Sequence, residues 1–156
     1  MQQELELAEK RVKEIVDAAE KVVAKKLGPV NELVSEIKKA MSKGTDCITL
    51  AQLQEWAVAI PILSEELVPT REAYALTKNL WDIELKQLQA KNLMELDKKK
   101  TEIDLINKMA GTEHSKKSVI ASYVAGNLAG TQETLWSLGN AIRKMIDARI
   151  AAGDVR

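Results

Sequence analysis

The side chains best suited to catalysis are scarce in this chain. Its 156 residues include one histidine, His114, and one cysteine, Cys47. A zinc site needs further histidine or cysteine ligands, and a reactive thiol needs a lowered pKa that a sequence does not reveal. We therefore predict that His114 is a solvated residue near the start of a helix and that Cys47 is a half-buried loop residue.

Sequence motifs for enzymatic chemistry are also missing. The chain contains no phosphate-binding glycine loop and no GxSxG, HExxH or EF-hand pattern. The adjacent carboxylates Glu65 and Glu66 would diverge by about 100° on a helix, which does not suit a catalytic pair. We predict a protein that is not an enzyme and that uses neither a cofactor nor a metal.

The chemistry that remains is the recognition of phosphate groups by basic side chains. Each lysine or arginine that reaches a phosphate adds affinity for nucleic acid by releasing counterions, and aromatic rings can stack on unpaired bases. Residues 71–156 carry a charge balance of +3, against −3 for residues 1–70. The candidate nucleic-acid-binding residues are Lys98, Lys99, Lys100, Lys116, Lys117, Arg143, Lys144 and Arg149.

A purely structural interpretation of these residues stays open. The formal net charge of the whole chain is zero, and Asp97, Glu102 and Asp104 neutralise the first lysine cluster. Charges of mixed sign along a helix usually form a solvated face. Trp81 and Trp136 lie close to apolar rows, which predicts positions in the core.

The composition indicates helices. Hydrophobic residues make up 46% and aromatic residues 3% of the chain, a combination typical of helix bundles rather than of β-sandwiches. Between Pro69 and Gly111 there is no glycine and no proline, so we predict one helix over Thr70–Ala110, about 60 Å long. The predicted fold class is all-α, an elongated bundle around this long helix.

Two apolar rows follow the predicted long helix. Because they drift around the helix, they predict contacts with more than one neighbour. One row runs through Leu76, Leu80, Ile83, Ala90 and Met94, and the other through Leu85, Leu88, Leu96, Ile103 and Ile106.

Glycine and proline predict the helix boundaries. Gly28-Pro29 predicts a break after a first helix, Glu4–Lys26, with Pro29 beginning a second helix that ends at Gly44. Pro61 predicts that the helix kinks or breaks near residues 59–60. Gly111 predicts the end of the long helix.

One helix start has a more specific signature. Thr49 precedes Gln52 by three residues, which is the spacing of a capping box, and Ile48 and Leu53 flank it as a hydrophobic staple would. This pattern predicts a helix that begins at Leu50. The residues before it, 45–47, are predicted as a loop.

The terminal helices carry coiled-coil-like seams, from which we predict a homo-oligomer. We interpret the chain as one helical domain over residues 1–156, with an N-terminal helical hairpin or arm (1–44), a kinked helix plus the long helix (49–110) and C-terminal helices (112–153). The N-terminal seam is Leu5, Ala8, Val12, Ile15, Ala19 and Val22, and the predicted oligomer interface is Leu128, Leu135, Leu138, Ile142 and Met145.

Cysteine usage and hydropathy predict a cytoplasmic protein. A lone cysteine excludes an internal disulfide, which fits a reducing compartment. Residues 1–13 are charged throughout, and no stretch approaches 18 apolar residues. We therefore predict neither a signal peptide nor a membrane span.

The layout from about Leu53 onward carries a family resemblance. A long charged helix (71–108) is followed by a short break (108–112), a polar helix start (113–117) and a closing amphipathic helix (131–151) with late basic residues. This pattern resembles the UvsY-like recombination mediators of bacteriophages. The resemblance implies an oligomeric helical protein without enzymatic activity that binds single-stranded DNA and helps to load a recombinase on it. It further implies that the closing helices build the oligomer and that basic residues near the break meet DNA.

Two functional hypotheses follow. The first is a phage-type accessory protein that binds single-stranded DNA and mediates recombination, with single-stranded DNA or a recombinase as partner. The alternative is a helical module that binds a protein target, such as a phage-encoded inhibitor of a host defence complex, or a structural component of an assembly.

Overall fold

The described part of the chain consists of helices joined by short turns. The computed structural model describes residues 2–154, except for the side chains of residues 2, 4, 5 and 8. Within these residues there are three long helices, α1 (Gln2–Ser42), α2 (Leu50–Glu95) and α3 (Lys100–Ala151), a 3-10 turn at Thr45–Cys47, and no strand. Helices α2 and α3 pack closely, so the predicted all-α bundle is confirmed.

The chain divides into two compact units. The first unit consists of Met1–Val22 and Arg71–Gly126, and the second unit consists of Val23–Thr70 and Asn127–Arg156. Each of the three helices contributes one segment to each unit.

The second unit has a large apolar core. Among the described residues, eleven of the fifteen buried apolar side chains belong to it. Trp56 is 2% exposed, and its Nε1 donates to Glu36 Oε1 over 3.2 Å, which joins α2 to α1. Gln132 Nε2 donates to the Ser64 carbonyl over 2.9 Å and joins α3 to α2. The core residues are Leu27, Val30, Ile37, Ile48, Leu53, Trp56, Ile60, Leu67, Leu128, Leu135 and Ile142.

The first unit has a much smaller core. The described side chains that it buries are Ala19, Ile103, Ala121 and Val124. It carries twelve of the sixteen large apolar side chains that are exposed in the described part of the chain. The first unit therefore leaves more of its apolar surface in solvent than the second unit does.

Proline does not break the helices, contrary to the sequence-based prediction. Pro29 lies inside α1, and Pro61 and Pro69 lie inside α2. A proline in a helix interior removes one hydrogen bond and costs about 3 kcal/mol. Buried neighbours offset this cost, since Leu27 and Val30 flank Pro29 in the core of the second unit and each such side chain contributes about 1.5–3 kcal/mol.

The predicted helix over Thr70–Ala110 is also wrong. Helix α2 ends at Glu95 and α3 begins at Lys100, so the chain turns at residues 96–99 and α3 passes through Gly111 without a break. Folding back buries Ile103, which is 5% exposed, and half-buries Leu96. A straight rod would leave this apolar face in water.

Both predicted boundaries around residues 44–50 are confirmed. Helix α1 ends at Ser42, just before Gly44, whose φ of 101° only glycine adopts readily. The backbone N–H of Thr49 donates to Gln52 Oε1 over 2.9 Å, and the N–H of Gln52 donates to Thr49 Oγ1 over 3.2 Å. This is a reciprocal capping box, and α2 begins at Leu50.

The C-terminal seam is used inside the chain. Leu128, Leu135 and Ile142 are each 0% exposed, while Leu138 and Met145 are half-buried. The three buried residues therefore have no surface left to offer to another copy, which corrects their assignment to an oligomer interface. In the N-terminal seam, Leu5 and Ala8 lie outside the described side chains, Ala19 is buried, Val12 is exposed, and Ile15 and Val22 are half-buried.

Candidate nucleic-acid interface

Three consecutive lysines occupy the turn between α2 and α3 in the first unit. We call Lys98, Lys99 and Lys100 the lysine tip. All three side chains are exposed. The structure therefore presents the most basic triplet of the sequence at the end of a helical hairpin, rather than on the side of one continuous helix.

Backbone hydrogen bonds hold the lysine tip in place. The N–H of Leu96 donates to the Asn92 carbonyl over 3.2 Å, which closes α2. The Lys99 carbonyl accepts from the N–H groups of Glu102 and Ile103 over 2.9 and 3.1 Å, which opens α3. Because Ile103 is buried, the start of α3 is anchored while the lysine side chains stay in solvent.

Amide side chains fix the register of the hairpin just below the lysine tip. Asn92 Nδ2 donates to Asn107 Oδ1 over 2.8 Å, and Gln89 Nε2 donates to the Asn107 carbonyl over 3.3 Å. Asn107 Nδ2 lies 3.4 Å from the carbonyl oxygen of Gln89. We call these three residues the amide cluster. The sequence-based interpretation did not predict this cluster, although the three amide residues lie next to the apolar rows in the sequence.

Acidic residues limit the positive charge of this end of the hairpin. Asp97, Glu102 and Asp104 are all exposed. Within the described residues no ion pair joins these carboxylates to the lysine tip, so the lysine side chains remain free to move toward a phosphate. The formal charges of these six residues nonetheless cancel.

The second predicted cluster is already engaged with its neighbours. Lys116 Nζ lies 3.2 Å from Glu113 Oε1. Lys117 Nζ lies 6.0 Å from the centroid of the Trp81 ring, a cation–π geometry between α3 and α2. Lys117 thus links α3 to α2, whereas Lys116 pairs within α3. Trp81 is half-buried at this contact and is not one of the buried core residues, where the sequence had predicted it.

The third predicted cluster lies in the second unit, where two of its residues are exposed and one binds backbone carbonyls. Arg143 and Lys144 are exposed. Arg149 donates to the carbonyl oxygens of Ile48 and Thr45, which secures the 3-10 turn before α2. Arg149 is therefore a structural residue, and its guanidinium would have to leave these carbonyls to bind a phosphate.

Trp136 is the most exposed tryptophan, which corrects its predicted place in the core. It is 71% exposed, because the buried face of α3 passes through Leu135 and Ile142 and residue 136 points about 100° away from Leu135. It lines a cavity of about 200 Å³ in the second unit together with Pro61, Ser64, Glu65, Asn140 and Arg143. Trp56, in contrast, is buried and cannot stack on a base.

The structure places the two residues considered for catalysis, His114 and Cys47, in a helix and in a turn. His114 is half-buried inside α3, not near a helix start as predicted, and its Nδ1 lies 3.1 Å from the Ala110 carbonyl. Cys47 is exposed rather than half-buried and lies in the 3-10 turn. Among the residues that the structure describes, no group of three or more His, Cys, Asp or Glu side chains could hold a metal ion.

The fold and these surfaces define an all-α helical protein with exposed basic and apolar patches. Within residues 2–154, no helix combines the length and the apolar character that crossing a membrane requires. Comparisons with protein-family models, with curated proteins and with solved structures find no match.

Proposed function

We propose that this protein is a non-enzymatic accessory protein of the phage recombination type that binds single-stranded DNA through the lysine tip. The observation that carries the proposal is the tip itself, three consecutive exposed lysines on an ordered turn. The long helix over 71–108 and the break at 108–112, which carried the resemblance to UvsY-like mediators, are not found, because α2 ends at Glu95 and α3 passes through Gly111. The proposal therefore rests on the lysine tip, which lies in the turn between α2 and α3.

The charge balance sets the expected strength of binding. Three lysines can contact about three phosphates, and each contact contributes a salt dependence of about −0.7 in the slope of log K against log salt for single strands. The nearby carboxylates lower the local potential. Binding by one copy is therefore weak, independent of sequence and sensitive to salt, and several copies on one strand would strengthen it by avidity.

A binding titration with a matched charge control tests this function. Fluorescence anisotropy with labelled oligo(dT) at low salt is expected to show binding, and replacing Lys98, Lys99 and Lys100 by Gln is expected to weaken it about tenfold or more. The control replaces by Gln the exposed lysines Lys38 and Lys39 of α1 and Lys43 just after it, which removes the same charge and should preserve binding. No binding by the unaltered protein at low salt, or equal loss in both variants, would contradict the proposal.

A role in recombination predicts a second activity that depends on the lysine tip. A mediator that loads a recombinase should speed the assembly of recombinase on single-stranded DNA that is already coated with a single-strand binding protein. We expect the Gln variant of the lysine tip to lose this acceleration together with its affinity for DNA.

Binding of a protein target is the second candidate function, and Trp136 favours it. Tryptophan and arginine are enriched among the residues that dominate protein interfaces, and Trp136 lies beside Arg143 at a concave surface. The substitution Trp136→Ala separates the two functions. It leaves the affinity for oligo(dT) unchanged if this surface serves a protein, and it lowers that affinity if the indole stacks on a base.

A further inference from the structure

The first unit leaves an apolar row of α2 uncovered. Leu76 is 59%, Leu80 49%, Ile83 52% and Met94 87% exposed, and Gln87 and Ala90 between them are also exposed. We call Leu76, Leu80, Ile83, Gln87, Ala90 and Met94 the α2 row. Their spacing alternates between four and three residues, which is the pattern of a coiled-coil seam, and the row is about 27 Å long.

The α2 row lies on the side of the helix opposite to the one that α3 covers. At 100° per residue, the covered positions Trp81, Leu85 and Gln89 are centred about 180° from the row. These covered residues are half-buried, and Gln89 makes the hydrogen bonds to Asn107 described above. Helix α2 therefore has two apolar faces, of which the described residues of its own chain cover one.

We propose that the α2 row pairs with the α2 row of a second copy of this chain in an antiparallel coiled coil. Among its described side chains, the first unit exposes twelve large apolar ones and buries only four apolar ones, so it gains most from such a partner. The residues of the row have a regular spacing, so their side chains pack better between the regularly spaced side chains of another such helix than against an irregular surface.

Side-chain sizes along the row favour the antiparallel direction. In an antiparallel pair centred near residue 85, Leu80 meets Ala90, Leu76 meets Met94, and Ile83 meets Gln87 of the other copy. Each small or polar residue is then covered by a larger apolar one. A parallel pair would instead place Ala90 against Ala90 and Gln87 against Gln87, which leaves a gap and a polar layer in the seam.

Charges beside the row favour the same direction. A parallel pair would bring Lys86 against Lys91 of the other copy twice by symmetry, and it would also place the two lysine tips side by side. The antiparallel pair brings Glu84 near Lys91 twice, against the approach of Lys86 and of Glu84 each to its own copy near the two-fold axis. Lys91 now faces Glu95 over 3.7 Å, an exposed pair worth little, so this contact is easily exchanged.

This inference does not depend on DNA binding and is tested without DNA. Sedimentation or light scattering over a range of concentrations is expected to show a reversible dimer. The double substitution Leu80→Glu and Ile83→Glu should raise its dissociation constant about a hundredfold or more, because four apolar side chains per dimer lose their burial. Leu105→Glu is the control for placing a charge at an exposed apolar position, since Leu105 is 60% exposed on α3 and lies off the row.

Helix content and oligomeric state together decide whether the α2 row forms the dimer. Since all the substituted residues are exposed, circular dichroism should show unchanged helix content in each variant. A monomer at every concentration, a dimer that survives the double substitution, or equal weakening by Leu105→Glu would overturn the proposal.

Spin-label distances test the direction of the pair. Single cysteines replace Asp82 or Glu95 in a Cys47→Ser background. An antiparallel pair separates the two labels at residue 82 by about 9 Å along the helix axis and those at residue 95 by about 30 Å. A parallel pair keeps both label pairs near the spacing between packed helices, about 10 Å, and that result would overturn the antiparallel arrangement.

Discussion

Asn92 on α2 donates a hydrogen bond to Asn107 on α3 over 2.8 Å, and this contact fixes how the hairpin of the first unit closes. Fifteen residues separate the two along the chain, and the turn with the lysine tip lies between them. Both asparagines are half-buried. The amide cluster therefore determines the register that places the three lysines at the end of the hairpin.

Removing the centre of the amide cluster should loosen the hairpin. Asn107→Ala removes the acceptor of Asn92 Nδ2 and the donor to the Gln89 carbonyl, but it keeps the bond from Gln89 Nε2 to the backbone carbonyl of residue 107. The loss costs about 1–3 kcal/mol of unfolding free energy. Asn79→Ala is the control, because Asn79 is exposed on α2 and should change stability by less than about 0.5 kcal/mol. Urea denaturation of both variants measures the difference, and equal stabilities would contradict the role of the cluster.

Helix α1 should become more stable when its internal proline is removed. Pro29→Ala restores a backbone N–H in the middle of a continuous helix, and alanine is favoured over proline there by up to about 3 kcal/mol. Pro29 is itself exposed, so little packing is lost. Thermal and urea unfolding should show a gain of about 1–3 kcal/mol, whereas no gain would indicate that the helix is interrupted at residue 28 or 29.

Two glycines of α3 should respond in opposite ways to alanine. A Cβ at Gly126 would meet nothing within 4 Å, while a Cβ at Gly139 would lie 3.3 Å from Ile60 Cγ2. Gly126→Ala should therefore stabilise the protein by about 1 kcal/mol. Gly139→Ala should lose that gain or destabilise, because its close neighbour is part of a buried core. Similar gains for both would contradict the close packing of α3 against α2 in the second unit.

The fold class was predictable because it rests on composition and local pattern. A core without phenylalanine and with few aromatics indicates a helix bundle, and the capping box of Thr49 and Gln52 involves only neighbouring residues. Gly44 likewise acts locally, through its own φ angle. Such local signals do not depend on how distant parts of the chain pack.

The helix ends that were mispredicted depend on distant contacts. The turn at residues 96–99 contains no glycine or proline, and the chain folds back there because Ile103 is buried and Asn107 binds Asn92. Pro29 and Pro61 stay inside helices because buried neighbours outweigh the lost hydrogen bonds. Propensity alone contains none of this information.

The apolar rows were predictable, but their coverage was not. Leu128, Leu135 and Ile142 form a seam as predicted, yet the chain itself buries them completely. The row from Leu76 to Met94 was equally visible in the sequence and is left exposed. A sequence shows that a helix has an apolar face, whereas only the packed structure shows which segment covers it.

The salt dependence of DNA binding tests the role of the lysine tip most directly. Replacing Lys98, Lys99 and Lys100 by Gln removes three phosphate contacts, so the slope of log K against log salt for oligo(dT) should become shallower by about 2. The variant with Gln at Lys38, Lys39 and Lys43 should keep the slope of the unaltered protein. An unchanged slope in the lysine-tip variant would contradict the assignment of DNA binding to this turn.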